Sequence, residues 1–192
     1  MILLLDVMDT LVYDPFHAEV PAFFGTTLPE LLAIKDPHAW PRFETGEYDE
    51  ATFAANYFQD RRPLDVPGFK AALAGAYRLL PGIEELLGEL QSAGVAMHAL
   101  SNYPPWFELI EGRLGLSRWV HWSYVSCRTG VRKPDPEAYL GPARDLGVEP
   151  GECLFVDDRA SNCEGALAVG MAAHHFRDAE GLSAELRERG LL

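Results

Sequence analysis

Polar residues suited to acid–base, metal and phosphate chemistry follow four separate apolar runs of the sequence. An Asp after a strand is often only a turn or helix-cap residue, but capping does not explain all four positions together. A carboxylate, hydroxyl and amide donors, an ammonium group and an acid pair are the groups that phosphoryl transfer uses. The positions are Asp6, Ser101 with Asn102, Lys133, and Asp157 with Asp158.

The acids predict a cation between them. Asp6 and the Asp157–Asp158 pair would place like charges close together, which costs free energy unless a cation neutralises them. Hard oxygen ligands of this kind favour Mg²⁺. Ser101 and Asn102 lie just before Pro104–Pro105, where we expect a helix N-terminus whose N–H groups bind an anion.

Strands that alternate with helices must position these groups. From Pro81 onward the sequence alternates between helical and strand patterns, which favours a mostly parallel sheet covered on both faces. Residues 14–79 instead carry aromatic-rich helical segments at 28–35, 49–60 and 67–77. We therefore predict an α/β fold, a doubly wound, mostly parallel, Rossmann-like sheet with an inserted α-helical cap. Residues 1–13 and 80–192 form the core, and 14–79 form the cap.

Four segments, taken in order, resemble the motifs of the haloacid dehalogenase (HAD) superfamily. They are "LLLDVMDTL", "HALSNYP", "GVRKPDPEAY" and "LFVDDRASN". The resemblance covers essentially the whole chain, and residues 14–79 stand where that family inserts its helical cap. It implies a hydrolase that uses Mg²⁺ and forms an aspartyl-phosphate.

The resemblance also implies a role for each matching residue. Asp6 and Lys133 would be catalytic, with Asp6 as the nucleophile. Ser101, Asn102 and Lys133 would bind the phosphate. The metal would be held by Asp6, the backbone carbonyl of Met8, Asp157 and Asp158.

Met8 departs from the superfamily pattern. The family's phosphatases usually have Asp at this position, whose side chain moves protons, and Met has no titratable group. The opening "DVMDTLVYDPF", with "NYP", "KPDPE" and "DDR", resembles the plant chloroplast flavin mononucleotide hydrolases and their bacterial relatives. This resemblance implies a phosphatase acting on a small organic phosphomonoester, with flavin mononucleotide as the best single guess.

Two other functions stay open. One is a catalytically weakened binding or regulatory protein on the same fold, although such a protein has no obvious need of Asp6 and Lys133. The other is a metal-independent 2-haloacid dehalogenase, since dehalogenating members of the family also lack the Asp that Met8 replaces. The acid pair Asp157–Asp158 argues against the dehalogenase.

The proton that Met8 cannot supply must come from elsewhere. Asp9 is the next residue, but its position favours a turn or capping role. Tyr13, Asp14 and His17 lie where the chain enters the cap and are the remaining candidates. His17 has the most suitable unperturbed pKa.

Several further residues have an ordinary structural interpretation beside a functional one. We expect His174 and His175 to be structural and Arg132 and Arg159 to be solvated, and Asn162 either bonds the metal-site loop or caps a helix. Helical aromatics are usually core residues, although they could also stack a flat ring. Those of the predicted cap are Phe23, Phe24, Trp40, Phe43, Tyr48, Phe53, Tyr57 and Phe58.

Composition limits the partners. The 192-residue chain carries a formal net charge of −13, which disfavours nucleic acid and anionic membranes. Its three cysteines show no zinc or disulfide spacing, which is typical of free thiols in a reducing compartment. With no targeting segment or apolar membrane span, we expect a cytoplasmic monomer or homodimer that binds a small phosphorylated metabolite.

Overall fold

A single parallel sheet forms the centre of the protein, whose computed structural model describes residues 1–192. Its five strands lie in the order β3-β2-β1-β4-β5, and all neighbouring pairs are parallel. The strands are β1 (Ile2–Leu5), β2 (Met97–Ser101), β3 (His121–Val125), β4 (Cys153–Asp157) and β5 (Ala172–His175). The predicted fold class is confirmed.

The two central strands are apolar because helices cover both faces of the sheet. Every residue of β4 is buried, and so are the three leucines of β1. Leu5 pairs with Ala99 on one side and with Val156 on the other. Asp6 and Asp157 therefore leave the same edge of the sheet side by side, where the strand order reverses.

Helices alternate with the strands after residue 80, as predicted. They are α6 (Ile83–Ser92), α7 (Phe107–Leu114), α8 (Ser126–Thr129), α9 (Glu137–Leu146), α10 (Ala160–Ala168) and α11 (Ala179–Glu188), with 3₁₀ turns at Leu116–Arg118 and Pro150–Glu152. Strand β3 ends at Val125 because Ser126 begins α8. No helix of the protein combines the length and apolar content that crossing a bilayer requires.

Five short helices lie between β1 and α6, after a 3₁₀ turn at Pro15–His17, and we call them the cap. They are α1 (Glu19–Phe23), α2 (Leu28–Ile34), α3 (Ala39–Glu44), α4 (Glu50–Asn56) and α5 (Val66–Ala76). Polar residues start several of them: Asp49 accepts a hydrogen bond from the Thr52 N–H at 2.7 Å, and Asp65 accepts one from the Gly68 N–H at 3.0 Å. Such caps satisfy backbone donors that a helix leaves unpaired.

An aromatic cluster joins the cap to the sheet layer. Trp106, just before α7, packs edge-on against Phe43 at 5.2 Å, Phe53 at 5.3 Å and Phe69 at 5.6 Å between ring centroids. Its indole N–H donates to the Glu50 carboxylate at 2.5 Å. These rings belong to one continuous buried cluster that also contains Leu3 and Leu5 of β1 and Val156 of β4.

Candidate active site

Three carboxylates meet at the carboxyl edge of the sheet. One oxygen each from Asp6, Asp157 and Asp158 lie within 4.8 Å of one another. Asp6 is 7% exposed and Asp157 is fully buried. The parallel register explains the meeting, because β1 and β4 are neighbours that end at the same level.

Lys133 bridges two of these acids. Its ammonium nitrogen lies 2.6 Å from Oδ1 of Asp6 and 2.7 Å from Oδ2 of Asp157. We call Asp6, Lys133, Asp157 and Asp158 the strand-end cluster. Lys133 comes from the loop between α8 and α9, and only 2% of it is exposed, so the ammonium is fixed inside the protein.

Burial and neighbouring charges shift the pKa values of Asp6, Lys133 and Asp158. Burial raises the pKa of the Asp6 carboxyl, and the Lys133 ammonium opposes that rise. Burial also lowers the pKa of Lys133, but the attraction of Asp6 and Asp157 outweighs it, so this pKa lies above its usual value. Burial, followed by repulsion from Asp157, raises the pKa of Asp158. The ammonium therefore stays charged. Additional positive charge next to the acids would stabilise their ionised forms.

Hydrogen bonds orient the buried acid of β4. The Asn162 amide donates to both oxygens of Asp157 at 3.0 Å, and the Arg159 N–H donates to Oδ1 at 2.8 Å. Asn162 thus binds the acid loop, one of the two roles considered for it. His175, which we expected to be structural, has Nε2 2.8 Å from the Asp158 carbonyl and supports the same loop.

Thr10 links the two acid loops. Its hydroxyl donates to Oδ2 of Asp6 at 3.3 Å and accepts from the Asp158 N–H at 3.1 Å. Thr10 is fully buried, and no functional interpretation of the sequence included it. Its position four residues after Asp6, in the turn that follows β1, is the signal that could have identified it.

The donor set of the strand-end cluster fits Mg²⁺. Carboxylate oxygens are hard ligands, and Mg²⁺ binds through one or two carboxylates while keeping several waters. Asp6, Asp157 and Asp158 would supply the carboxylates, and Met8, which lines the adjoining cavity, is near enough to Asp6 in sequence to contribute its carbonyl. Lys133 is the one ammonium among three carboxylates, so a bound cation would neutralise the negative charge that remains.

Asn102 has a structural task that the sequence did not reveal. Its amide N–H donates to the Lys133 carbonyl at 2.9 Å, and its amide oxygen accepts from the Lys133 N–H at 2.8 Å. This pair of bonds fixes the loop that delivers the ammonium to Asp6. Asn102 also lines the cavity, so its predicted contact with phosphate stays a prediction.

The helix after Ser101 begins later than expected, and the phosphate contact predicted for Ser101 stays a prediction. Ser101 ends β2, is 2% exposed and is not among the residues that line the cavity. The helix expected at Pro104–Pro105 begins at Phe107, after a turn in which the Phe107 N–H donates to the Pro104 carbonyl at 3.0 Å. The N–H of Tyr103 donates to the Ser126 hydroxyl at 3.0 Å.

Of the candidate proton donors, only Asp9 and Asp14 line the cavity. Asp9 has a left-handed backbone (φ 53°), and its Oδ1 accepts from the Asp14 N–H at 3.0 Å, the turn role we predicted. His17 is exposed. The Tyr13 hydroxyl donates to Glu19 at 2.9 Å, and the Arg78 guanidinium lies over the Tyr13 ring.

Asp14 is the acid best placed to exchange a proton. Its Oδ1 accepts from the Phe16 N–H at 2.9 Å and starts the 3₁₀ turn. Burial, together with the nearby Asp9 carboxylate, raises the pKa of Asp14. This shift moves the pKa of Asp14 toward the range that suits a general acid.

The cavity next to the strand-end cluster has a volume of about 240 Å³, and cap residues line one side of it. We call the cap residues Trp40, Glu44, Tyr57 and Phe69, which line that side, the cap face. Trp40 and Tyr57 were among the aromatics that could stack a ring. Phe43, Phe53 and Phe58 were too, but they do not line the cavity, and like Tyr57 and Phe69 they belong to the buried core.

The sequence also did not predict an ion pair on the cap side of the cavity. Arg132 donates to Oε2 of Glu44 at 2.7 Å, so Arg132 is bound to the cap and is not the fully solvated residue we expected. Arg159, which we also expected to be solvated, is exposed but lines the cavity, as does Phe16. The pair joins residues that are 88 positions apart, and neither residue lies in a pattern that signals a partner.

Known proteins resemble this chain over nearly its whole length. It is 45% identical over 190 residues to Flavin mononucleotide hydrolase 1, chloroplastic, of Arabidopsis thaliana, covering 99% of this chain and 78% of that protein. It is 29% identical over 177 residues to a sesquiterpene phosphatase of Aspergillus oryzae, covering 84% of each.

Solved structures share the fold. A HAD family enzyme from Bacteroides thetaiotaomicron aligns with a TM-score of 0.76 at 19% identity, over 97% of this chain and 98% of that one. The same enzyme in complex with magnesium and inorganic phosphate aligns with a TM-score of 0.72 at 19% identity, over 94% and 97%. The family described as haloacid dehalogenase-like hydrolase matches residues 6–170, and the chain belongs to this hydrolase family.

Proposed function

We propose that the protein is an Mg²⁺-dependent phosphatase that hydrolyses a small organic phosphomonoester through an aspartyl-phosphate on Asp6, with flavin mononucleotide as the substrate. One observation carries the proposal: Asp6 is held 2.6 Å from a buried ammonium, within a cluster of three acids at the edge of a cavity. The 45% identity to a protein named as a flavin mononucleotide hydrolase supports the choice of substrate.

Asp6 begins the reaction. One carboxylate oxygen attacks phosphorus, the bond between phosphorus and the ester oxygen breaks, and the ester oxygen takes up a proton and leaves as an alcohol. Water then hydrolyses the aspartyl-phosphate, which releases inorganic phosphate and regenerates the carboxylate. The Thr10 hydroxyl, 3.3 Å from Oδ2, holds the carboxylate in one orientation.

Positive charge at the cluster keeps the nucleophile ionised and attracts the phosphate. Lys133 supplies it from within the chain, at fixed distances from Asp6 and Asp157. Mg²⁺ bound to the acids would stabilise the charge that develops on the phosphoryl oxygens. Asn102 contributes indirectly because it fixes the Lys133 backbone.

Asp14 donates the proton that Met8 cannot. It lines the same cavity as Asp6 and lies at the entry to the cap. General acid–base catalysis is worth roughly 10² to 10⁴ in rate. This contribution matters most for an alkyl phosphate such as flavin mononucleotide, whose leaving group is poor.

The cap face supports an aromatic leaving group. Trp40, Tyr57 and Phe69 line the cavity, and aromatic rings stabilise a stacked planar partner.

The free thiols Cys127, Cys153 and Cys163 are compatible with a reducing compartment, so we place the activity in the cytoplasm.

Hydrolysis assays test the proposal. Release of phosphate from flavin mononucleotide and from p-nitrophenyl phosphate is measured with Mg²⁺ and with a chelator. We expect Mg²⁺-dependent turnover of both substrates. No metal-dependent turnover of either substrate would contradict the proposal and favour a binding or regulatory protein, and metal-independent halide release from a 2-haloacid would favour a dehalogenase.

A further inference from the structure

Arg132 contains an unpaired hydrogen-bond donor. Its Nε is the one buried side-chain nitrogen or oxygen atom of the protein that has no hydrogen-bond partner. Buried polar groups in native proteins almost always have partners, because an unmade hydrogen bond costs free energy. Arg132 lines the cavity beside the strand-end cluster and its side chain is 41% exposed, so the guanidinium borders the space that a ligand would occupy.

Glu44 holds the guanidinium in place from the cap. Oε2 of Glu44 accepts from Arg132 at 2.7 Å, and Oε1 accepts from the Trp40 indole N–H at 2.6 Å. Glu44 is 6% exposed. Burial raises the pKa of this carboxyl, and the Arg132 charge opposes the rise.

The backbone of Glu44 is fixed as well. Its carbonyl accepts from the Ser126 hydroxyl at 2.5 Å, and the same hydroxyl accepts from the Tyr103 N–H at 3.0 Å. The end of α3 is therefore attached to the sheet layer at a second point. A guanidinium held this way loses little further conformational entropy when it binds a ligand.

The neighbouring side chains of Lys133 and Arg132 extend to different sides of the cavity, so they would contact different parts of a ligand. Lys133 reaches Asp6 and Asp157, where the phosphate must lie during attack by Asp6. Arg132, one residue earlier, reaches the cap instead. The Glu44 carboxylate also balances the guanidinium charge, which favours a neutral acceptor such as a carbonyl over a second anion.

We propose that Arg132 is a substrate-binding residue whose guanidinium donates to a carbonyl oxygen or ring nitrogen of a planar leaving group, and that Glu44 positions it. The inference rests on the proposed function and adds a recognition site for the leaving group. The aromatic residue Trp40, which contacts Glu44 and lines the cavity, places a ring surface next to this donor. An isoalloxazine ring has both the planar shape and the carbonyl acceptors.

The test compares Arg132→Lys with the wild-type protein on two substrates and two non-reacting ligands. Lysine keeps the charge but cannot reproduce the guanidinium donor geometry. We expect KM for flavin mononucleotide and the dissociation constant of riboflavin, measured by fluorescence quenching, to rise at least about tenfold. The KM for phenyl phosphate and the inhibition constant of inorganic phosphate should stay unchanged.

Two further variants separate positioning from a general structural effect. Glu44→Ala should raise KM for flavin mononucleotide while kcat for phenyl phosphate stays constant. Arg128→Lys is the matched control, because Arg128 donates to the Trp122 carbonyl and does not line this cavity. It should change none of the four constants.

Specific outcomes would overturn the inference. An equal rise of the phosphate inhibition constant in Arg132→Lys would mean that Arg132 binds the phosphate. Unchanged riboflavin affinity in this variant, or no riboflavin binding to the wild-type protein, would mean that the donor does not recognise such a ring. Failure of the proposed function is distinguishable, since it appears as absent wild-type turnover, and the riboflavin and phosphate titrations require no turnover.

Discussion

The strand-end cluster and the cap face are opposite sides of one cavity and are built in different ways. The strand-end cluster consists of ionic side chains that emerge from strand ends and one loop, joined at 2.6 and 2.7 Å. The cap face consists mostly of rings on short helices, with one ion pair to Arg132. Strand ends give precise positions to reacting groups, whereas short helices provide a surface whose shape can select a substrate.

The two sides also tolerate change differently. Removing one member of a buried ionic group leaves an unpaired buried charge, which is strongly destabilising. A change on the cap face alters the contact area for a leaving group and leaves the nucleophile in place. Variants on the two sides should therefore separate the chemical step from substrate recognition.

The largest effect is expected for Asp6→Asn. An amide cannot form the aspartyl-phosphate, so turnover of flavin mononucleotide and p-nitrophenyl phosphate should fall to background while the protein stays folded. Phosphate release and far-UV circular dichroism measure the two properties. Asp9→Asn is the control, because Asp9 also lines the cavity but its side chain accepts from the Asp14 N–H, and it should retain most activity.

Asp14→Asn should lower turnover of flavin mononucleotide by roughly 10²- to 10⁴-fold. Asparagine can still accept the Phe16 N–H bond but cannot donate the catalytic proton. An activated aryl phosphate such as 2,4-dinitrophenyl phosphate should be affected far less, because its leaving group needs no proton. His17→Ala should behave like wild type, and an equal loss on both substrates would argue against proton donation by Asp14.

Lys133→Met should lower the free energy of unfolding by about 3–5 kcal/mol, because it leaves the buried carboxylates of Asp6 and Asp157 without a counter-charge. Urea unfolding in the presence of a chelator measures the change without a contribution from metal. Lys35→Met is the matched control, since Lys35 lines the cavity without an ion pair, and should cost much less. An equal loss of unfolding free energy in Lys133→Met and Lys35→Met would mean that the ion pairs of Lys133 do not stabilise the protein.

Met8→Asp has the smallest expected effect. In the wild-type background it should accelerate hydrolysis of poor leaving groups only slightly, because we propose Asp14 as the residue that supplies the proton. In the Asp14→Asn background the same change should restore much of the lost turnover of flavin mononucleotide. Measurement of kcat in both backgrounds tests these two expectations. If Met8→Asp does not restore turnover in Asp14→Asn, the loss in Asp14→Asn has a cause other than proton donation.

The strand-end cluster could be predicted because its geometry follows from the parallel sheet. Asp6 and Asp157 end neighbouring buried strands, and residues that follow parallel strands meet at one edge. Lys133 could be assigned only through the family resemblance, because nothing in the loop sequence shows that the Asn102 amide holds it in place.

The cap side could not be predicted to the same degree. Helix α3 has six residues with Pro41 inside it, which gives too short a pattern for a periodicity argument. Its contact with Arg132 depends on tertiary packing between distant segments. The choice among Tyr13, Asp14 and His17 likewise required side-chain directions, which neither spacing nor an unperturbed pKa can supply.

The aromatic cluster around Trp106 has a consequence for how the protein opens. Phe43, Phe53 and Phe69 share one hydrophobic cluster with residues of β1 and β4, so separating the cap from the sheet would break the main core itself. Local opening then has nearly the same free energy as global unfolding. Backbone amides of α4 should exchange with deuterium about as slowly as those of β1, and ligands should enter beside the cap without displacing it.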